Sequence, residues 1–163
     1  MAKLMYHTQE SRAKLLTAPI KCNKSDAWLG VGYYFWNIEI DATHWGNNFK
    51  NRKGSFEIYK ADIDTENVLD TVFNEKHYEF WLKQIEKAAK FITKKTGKKA
   101  SIREINQYFN DKAKWSEITD GVLFQDLPFS DDLLVSNFNY RKRIQIAVYN
   151  KDIISNFVLH QRV

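Results

Sequence analysis

A chain of 163 residues is the size of one domain, and two prolines and six glycines beside 44% hydrophobic residues argue against a disordered or low-complexity protein. The single cysteine, Cys22, excludes an internal disulfide, and no apolar run approaches the ~20 residues of a membrane-spanning helix. The net charge of +5 favours a polyanionic partner such as nucleic acid.

The first nine residues lack the apolar core of a signal peptide. A lone cysteine is typical of a reducing compartment, because disulfides persist mainly in oxidising ones. We therefore expect a cytoplasmic protein that does not associate with a membrane.

The N-terminal third predicts strands around short helices. Residues 3–7 alternate as a half-buried strand does, and residues 11–16 predict a short helix. The aromatic run 28–36 contains Gly30 and Gly32 and predicts a strand that a backbone or ligand approaches closely. Asn37 is a candidate N-cap for a helix that ends near Gly46, and residues 55–63 predict a further strand.

The middle of the chain has a helical pattern. Apolar residues recur at steps of three and four from 75 to 96, and Gly97 supplies the stop. Ser101 with Glu104 predicts a capping box for a second helix that ends near Lys112. Strands are predicted at 121–125 and 144–149, with a further one at 157–160. Strands at both ends and a helical insert of about 70–114 indicate a single α+β domain over residues 1–163.

Three separated pieces of sequence carry a functional motif. His7 lies in YHT, Tyr34 lies in GVGYYFW ahead of Ala42 and Trp45, and Gln145 lies in QIAVYN. Together they resemble the signature of ADP-ribosyltransferases of the diphtheria-toxin and poly(ADP-ribose)-polymerase type, which reads His, Tyr and usually Glu. They are also similar to a bacterial group of transferase-like toxins. The resemblance implies a split antiparallel β-sheet core with a helical insertion, NAD⁺ as the substrate, and no metal.

The resemblance implies a donor site for NAD⁺. His7 would bond the adenosine-side ribose, and the main chain of Thr8 would hold the nicotinamide amide. Tyr34 and Trp45 would stack on opposite faces of the nicotinamide ring, a geometry that aromatic rings favour. Gly32 would let NAD⁺ lie against the strand.

The third motif residue bears on mechanism. Gln145 stands where the family usually places a glutamate that stabilises the oxocarbenium-like state formed as nicotinamide leaves. A carboxamide can orient the ribose but supplies neither negative charge nor a general base, which favours transfer of a single ADP-ribose over polymer growth. Arg143 departs from arginine-modifying relatives, which have Glu or Gln there. His7, Tyr34 and Gln145 are therefore the candidate catalytic residues.

The segment 126–143 stands where this family carries its acceptor-reading loop. Aromatic rings accept bases and cations accept phosphates in single-stranded nucleic acid binding, although a surface loop with a basic end fits the same pattern. The candidate acceptor residues are Phe138, Tyr140, Arg141 and Arg143, and the same loop also contains Phe129 and Lys142. Asp131 or Asp132 could serve as the missing base.

These features predict a mono-ADP-ribosyltransferase that modifies nucleic acid, above all RNA. By analogy with free bacterial transferase domains, we expect a toxin held by an antitoxin protein, with a role in phage defence. Three alternatives stay open. One is transfer to a protein side chain, another is a non-catalytic module of the same fold that binds nucleic acid or a protein partner, and the third is simple hydrolysis of NAD⁺.

Overall fold

A computed structural model describes residues 1–127 and 133–163 as a β-sheet with helices packed on it. The strands in chain order are β1 (Ala2–Glu10), β2 (Tyr33–Trp36), β3 (Phe56–Asp64), β4 (Val68–Asp70), β5 (Gly121–Asp126), β6 (Arg143–Val148) and β7 (Ile154–Arg162). The α-helices are α1 (Glu39–Trp45), α2 (Glu75–Thr96), α3 (Ile102–Asp111) and α4 (Trp115–Ile118). A π-helical turn, Gly46–Lys50, follows α1, and a 3₁₀ turn, Lys151–Ile153, precedes β7.

The strands form one seven-stranded sheet in the order β4-β5-β6-β2-β1-β3-β7. Every neighbouring pair is antiparallel except β4 and β5, which are parallel. Parallel neighbours need a crossover connection, and helices α2 to α4 are that connection. The expected α+β class is confirmed, and the expected helical insert is the crossover between two neighbouring strands.

The sheet divides into two halves between β1 and β2. These strands are in register at one pair only, Tyr6 with Trp36. By contrast, β1 pairs with β3 along its whole length, and β2 pairs with β6 at each of its four residues. The ladder between the halves is therefore much shorter than the ladders within them.

Apolar side chains cover both faces of the sheet. One face carries a single cluster built around Met5, Phe35, Ala61, Ile63 and Ile146. The other face carries two clusters. Helix α1 packs on Trp36, Phe56 and Ile58, and helices α2 to α4 pack on Val122.

Two helices follow their local sequence signals. Helix α2 spans the predicted residues and ends at Gly97, which has a left-handed φ of 72°. Ser101 and Glu104 form both hydrogen bonds of the predicted capping box at the start of α3. Both predictions are confirmed because caps and periodicity act within a few residues of chain.

The predicted helix over 11–16 is wrong. The segment has no regular structure, and its main chain bonds to side chains of the sheet instead. The Arg12 amide donates to Glu57 Oε1, and the Leu16 amide donates to the hydroxyl of Tyr59. Tertiary partners thus replace the intrahelical bonds that the local pattern favoured.

The predicted strand over 28–36 is only half correct, since β2 begins at Tyr33. Gly30 has a φ of 80° and lies in a turn. At Gly32 a Cβ atom would lie 2.9 Å from the main-chain oxygen of Val148. The turn therefore explains Gly30, and the close approach of β6 explains Gly32. Neither glycine requires a ligand against the strand.

The remaining differences concern element ends and short elements. Helix α1 begins at Glu39 after Ile38, so Asn37 is not its N-cap. Neither β4 nor α4 was predicted, because three- and four-residue elements leave too short a pattern to detect.

Candidate functional site

The three strands that carry the motif lie side by side, in the order β6-β2-β1. Paired residues in adjacent strands point to the same face, so the registers define a row of side chains across four strands. The row consists of Tyr6, Trp36, Gln145 and Phe124. Tyr34, two residues before Trp36, lies on the same face. Tyr34 and Gln145 therefore lie on the same face of two adjacent strands.

Gln145 is the carboxamide of this row. It lies between the positions of Trp36 and Phe124 and is 8% exposed. Within residues 1–127 and 133–163, no hydrogen bond to its carboxamide is found, and the carboxamide is not among their fully buried unpartnered groups. A carboxamide in such a place has one acceptor oxygen and two N–H donors to offer to a ligand.

Tyr34 holds the turn that precedes its strand. Its hydroxyl donates to the Gly30 oxygen at 2.7 Å and accepts the Leu29 N–H at 3.2 Å. Its ring meets Phe124 edge to face, with 6.5 Å between the ring centroids. Burial raises the pKa of the Tyr34 hydroxyl, which therefore stays protonated at neutral pH.

His7 lies on the opposite face of the sheet. It pairs with Tyr59 of β3, and its ring packs beside Phe35 and Phe157. Nδ1 lies 2.8 Å from the main-chain oxygen of Tyr34, and the Ile20 amide donates to Nε2 at 3.3 Å. His7 is 3% exposed, and burial lowers its pKa to about 4. The ring is therefore neutral, with Nδ1 as the donor.

This position corrects the expected donor pocket. A ligand that stacks on Tyr34 and bonds to Gln145 cannot reach His7, because the sheet lies between them. His7 instead joins the two halves of the sheet, since its bond to the Tyr34 oxygen crosses the gap beyond the single Tyr6–Trp36 pair.

The other expected donor residues lie near α1. Thr8 Oγ1 donates to the Ala42 oxygen at 2.9 Å and so ties β1 to the helix. The Trp45 ring packs against Trp36 at 5.9 Å and Phe49 at 4.2 Å between centroids. Trp45 therefore contacts Trp36, which lies two residues after Tyr34 on the same strand.

Of the expected acceptor residues, Arg143 is an interior cation. It is 3% exposed, its guanidinium lies 4.6 Å from the Trp36 ring centroid, and its Nη1 donates to the Leu127 oxygen. Its Nη2 lies 4.0 Å from Asp126 Oδ2. Because Arg143 is buried, the expectation that it binds a phosphate at the surface is wrong. Arg143 instead places a positive charge beside Gln145, two residues along β6.

Phe138 and Tyr140 are on the surface, as a base-stacking role requires. They are 59% and 44% exposed, and their ring centroids are 5.7 Å apart. Arg141 lies 3.4 Å from the buried carboxylate of Asp41. Phe129, Asp131 and Asp132 lie outside the described residues.

A cavity that was not predicted lies beside the turn that the Tyr34 hydroxyl holds, because Leu29 and Gly30 line it. It has a volume of about 490 Å³ and lies between α3 and the segment 25–31. We call it the α3 pocket; its walls include Leu29, Val31, Arg103, Gln107, Phe109, Asn110, Trp115 and Tyr149. The sequence signal was the polar set Arg103, Gln107 and Asn110, which recurs at helical spacing along one side of α3.

None of the helices in residues 1–127 and 133–163 is long and apolar enough to cross a membrane. No family model, curated protein or solved structure matches the chain.

Proposed function

We propose that this chain is a mono-ADP-ribosyltransferase that uses NAD⁺ as the donor. The observation that carries the proposal is Gln145, whose carboxamide has no hydrogen-bond partner among the described residues and which lies on the same sheet face as Tyr34. The motif positions come from strands far apart in sequence, and those strands are neighbours in the sheet.

In this proposal the nicotinamide riboside meets the carboxamide of Gln145, which is more exposed than its neighbours in the row, Trp36 and Phe124. The carboxamide of Gln145 bonds a ribose hydroxyl and orients the sugar. The bond between C1′ and the nicotinamide nitrogen breaks with its electron pair on nicotinamide, and the acceptor nucleophile forms the new bond at C1′ as it loses its proton to solvent. His7 is a positioning residue, because it holds the strand of Tyr34 without reaching the ligand.

The proposed acceptor is RNA. The net charge of +5 and the exposed pair Phe138 and Tyr140 support a single-stranded polyanion whose bases stack on rings. A setting as a bacterial toxin restrained by an antitoxin protein, and a cytoplasmic location, belong to the same proposal and rest on analogy with the family that the motif resembles.

A second function has an observation in its favour. The polar groups of His7 and Tyr34 are already bonded within the protein, as they would be in a non-catalytic module that binds nucleic acid or a protein. In that case the motif would preserve the fold rather than the chemistry.

The decisive measurement is nicotinamide release from NAD⁺ with total RNA or cell lysate as the acceptor source. We expect Gln145→Leu to lower release at least tenfold and Gln145→Glu to raise it, because a carboxylate stabilises the developing positive charge. Gln125→Leu is the matched control, because Gln125 lies on the adjacent strand and faces the other side of the sheet.

The outcomes separate the candidates. Background release from the unmodified chain with either acceptor source would reject the transferase and leave the binding module. Full activity in Gln145→Leu would reject the proposed site. With labelled NAD⁺, label lost to nuclease supports the RNA acceptor, and label lost only to protease supports a protein side chain.

A further inference from the structure

The α3 pocket has the form of a ligand site. Its volume of about 490 Å³ lies within the range of small-molecule sites, roughly 300–1,000 Å³. Its floor is apolar and aromatic, formed by Leu29, Phe109, Trp115 and Tyr149. Phe109 and Trp115 stack on each other at 4.9 Å and fix the floor as one rigid unit.

The wall opposite α3 is held in place by hydrogen bonds. The amide nitrogen of Asn106 donates to the main-chain oxygens of Ser25 and Ala27, and the Tyr149 hydroxyl donates to the Leu29 oxygen at 2.9 Å. These bonds join three distant parts of the chain around the cavity. The pocket is therefore formed before any ligand arrives, which lowers the entropic cost of binding.

The polar side chains at the rim of the pocket indicate which class of ligand it could bind. Of the described residues that line it, none carries a carboxylate, and Arg103 is the one charged side chain. Gln107 and Asn110 follow it on the same side of α3 and are exposed. Asn110 donates to the Asp111 carboxylate, which leaves its own oxygen to accept a bond. An apolar floor, two carboxamides and one guanidinium suit a flat ring with a polar edge and an attached anion.

We propose that the α3 pocket binds a nucleotide. The base lies on the aromatic floor, the carboxamides of Gln107 and Asn110 bond its edge, and Arg103 pairs with its phosphate. The same chemistry is presented by a free mononucleotide and by one residue of single-stranded RNA. Gln145, Trp36 and Phe124 do not line this pocket, and the inference does not depend on transfer activity.

Calorimetric titration of the whole chain tests the proposal with AMP, adenosine, ribose 5-phosphate and an octamer of adenylate. We expect AMP to bind about tenfold more tightly than adenosine, and ribose 5-phosphate not to bind. Arg103→Gln should reduce the affinity for AMP to that for adenosine. Ser116→Trp, at the rim, should abolish binding of both.

Two variants serve as controls. Lys95→Gln removes an exposed charge from α2 outside the pocket, and Gln145→Leu alters the proposed donor site; both should bind AMP normally. Tighter binding of the octamer than of AMP assigns the ligand to an RNA strand, and equal or weaker binding assigns it to a free nucleotide. Circular dichroism confirms that each variant is folded.

Three results would overturn the proposal. The first is no binding of AMP or the octamer at millimolar concentration. The second is an equal loss of affinity in Arg103→Gln and Lys95→Gln, which would indicate diffuse charge. The third is loss of AMP binding in Gln145→Leu with none in Ser116→Trp, which would place the ligand in the donor site.

Discussion

Acidification should destabilise this protein through His7. Its pKa is about 4 when folded and 6.5 in the unfolded chain, so between these values the unfolded state binds the extra proton. Stability is therefore lost as pH falls below 6.5. With these two pKa values, the His7 contribution changes by about 2 kcal/mol between pH 7 and pH 5. For a domain of this size, that corresponds to a fall of about 4–8 °C in Tm.

Urea unfolding of the unmodified chain and of His7→Asn at pH 7 and pH 5 measures this contribution. Asparagine keeps a donor near the Tyr34 oxygen but does not titrate. We expect its free energy of unfolding to fall by about 2 kcal/mol less between the two pH values than that of the unmodified chain. Met5→Ala, a buried substitution on the same sheet face, is the control, because it lowers stability but keeps the pH dependence. The same pH-dependent loss in His7→Asn as in the unmodified chain would refute the reasoning.

Three further substitutions test individual contacts by urea unfolding at pH 7. Gly32→Ala should lower the free energy of unfolding by about 1–3 kcal/mol, because the added Cβ would crowd the Val148 oxygen. An unchanged urea midpoint of unfolding would contradict that contact. Arg162→Gln should cost about 1–3 kcal/mol, since it removes the partner 2.6 Å from the fully buried carboxylate of Glu57, and adding Glu57→Gln should recover part of the loss. Ser101→Ala should cost about 1 kcal/mol by removing the cap of α3, and no loss would mean that the capping box contributes nothing.

The elements that the sequence predicted well are those whose causes are local. Gly97 ends α2 because it adopts a left-handed conformation there and its amide bonds to Thr93 in the last turn. Ser101 caps α3 by hydrogen bonding to Glu104, three residues along the chain. Residues 11–16 show the opposite case. Their partners, Glu57 and Tyr59, are more than forty residues away, so no local pattern could reveal them.

The candidate site shows the same difference between what local sequence predicts and what depends on distant residues. The resemblance implied that His7, Tyr34 and Gln145 share one site, and their strands lie in the order β1, β2 and β6 across the sheet. The face on which each side chain lies depends on strand register, which a one-residue shift reverses. That register separates His7 from the other two, and it follows from the Tyr6–Trp36 pairing rather than from the motif itself.

The single registered pair between β1 and β2 has a mechanical consequence. Separating β1 from β2 at Tyr6 and Trp36 breaks few main-chain bonds, so we expect slow local opening of the sheet between these strands, with each half staying intact. The hydrogen bond from His7 Nδ1 to the Tyr34 oxygen opposes this opening. Amide protons of β2 should therefore exchange with solvent sooner than those of β3, because β2 pairs with β1 at one position only, whereas β3 has long ladders with both β1 and β7.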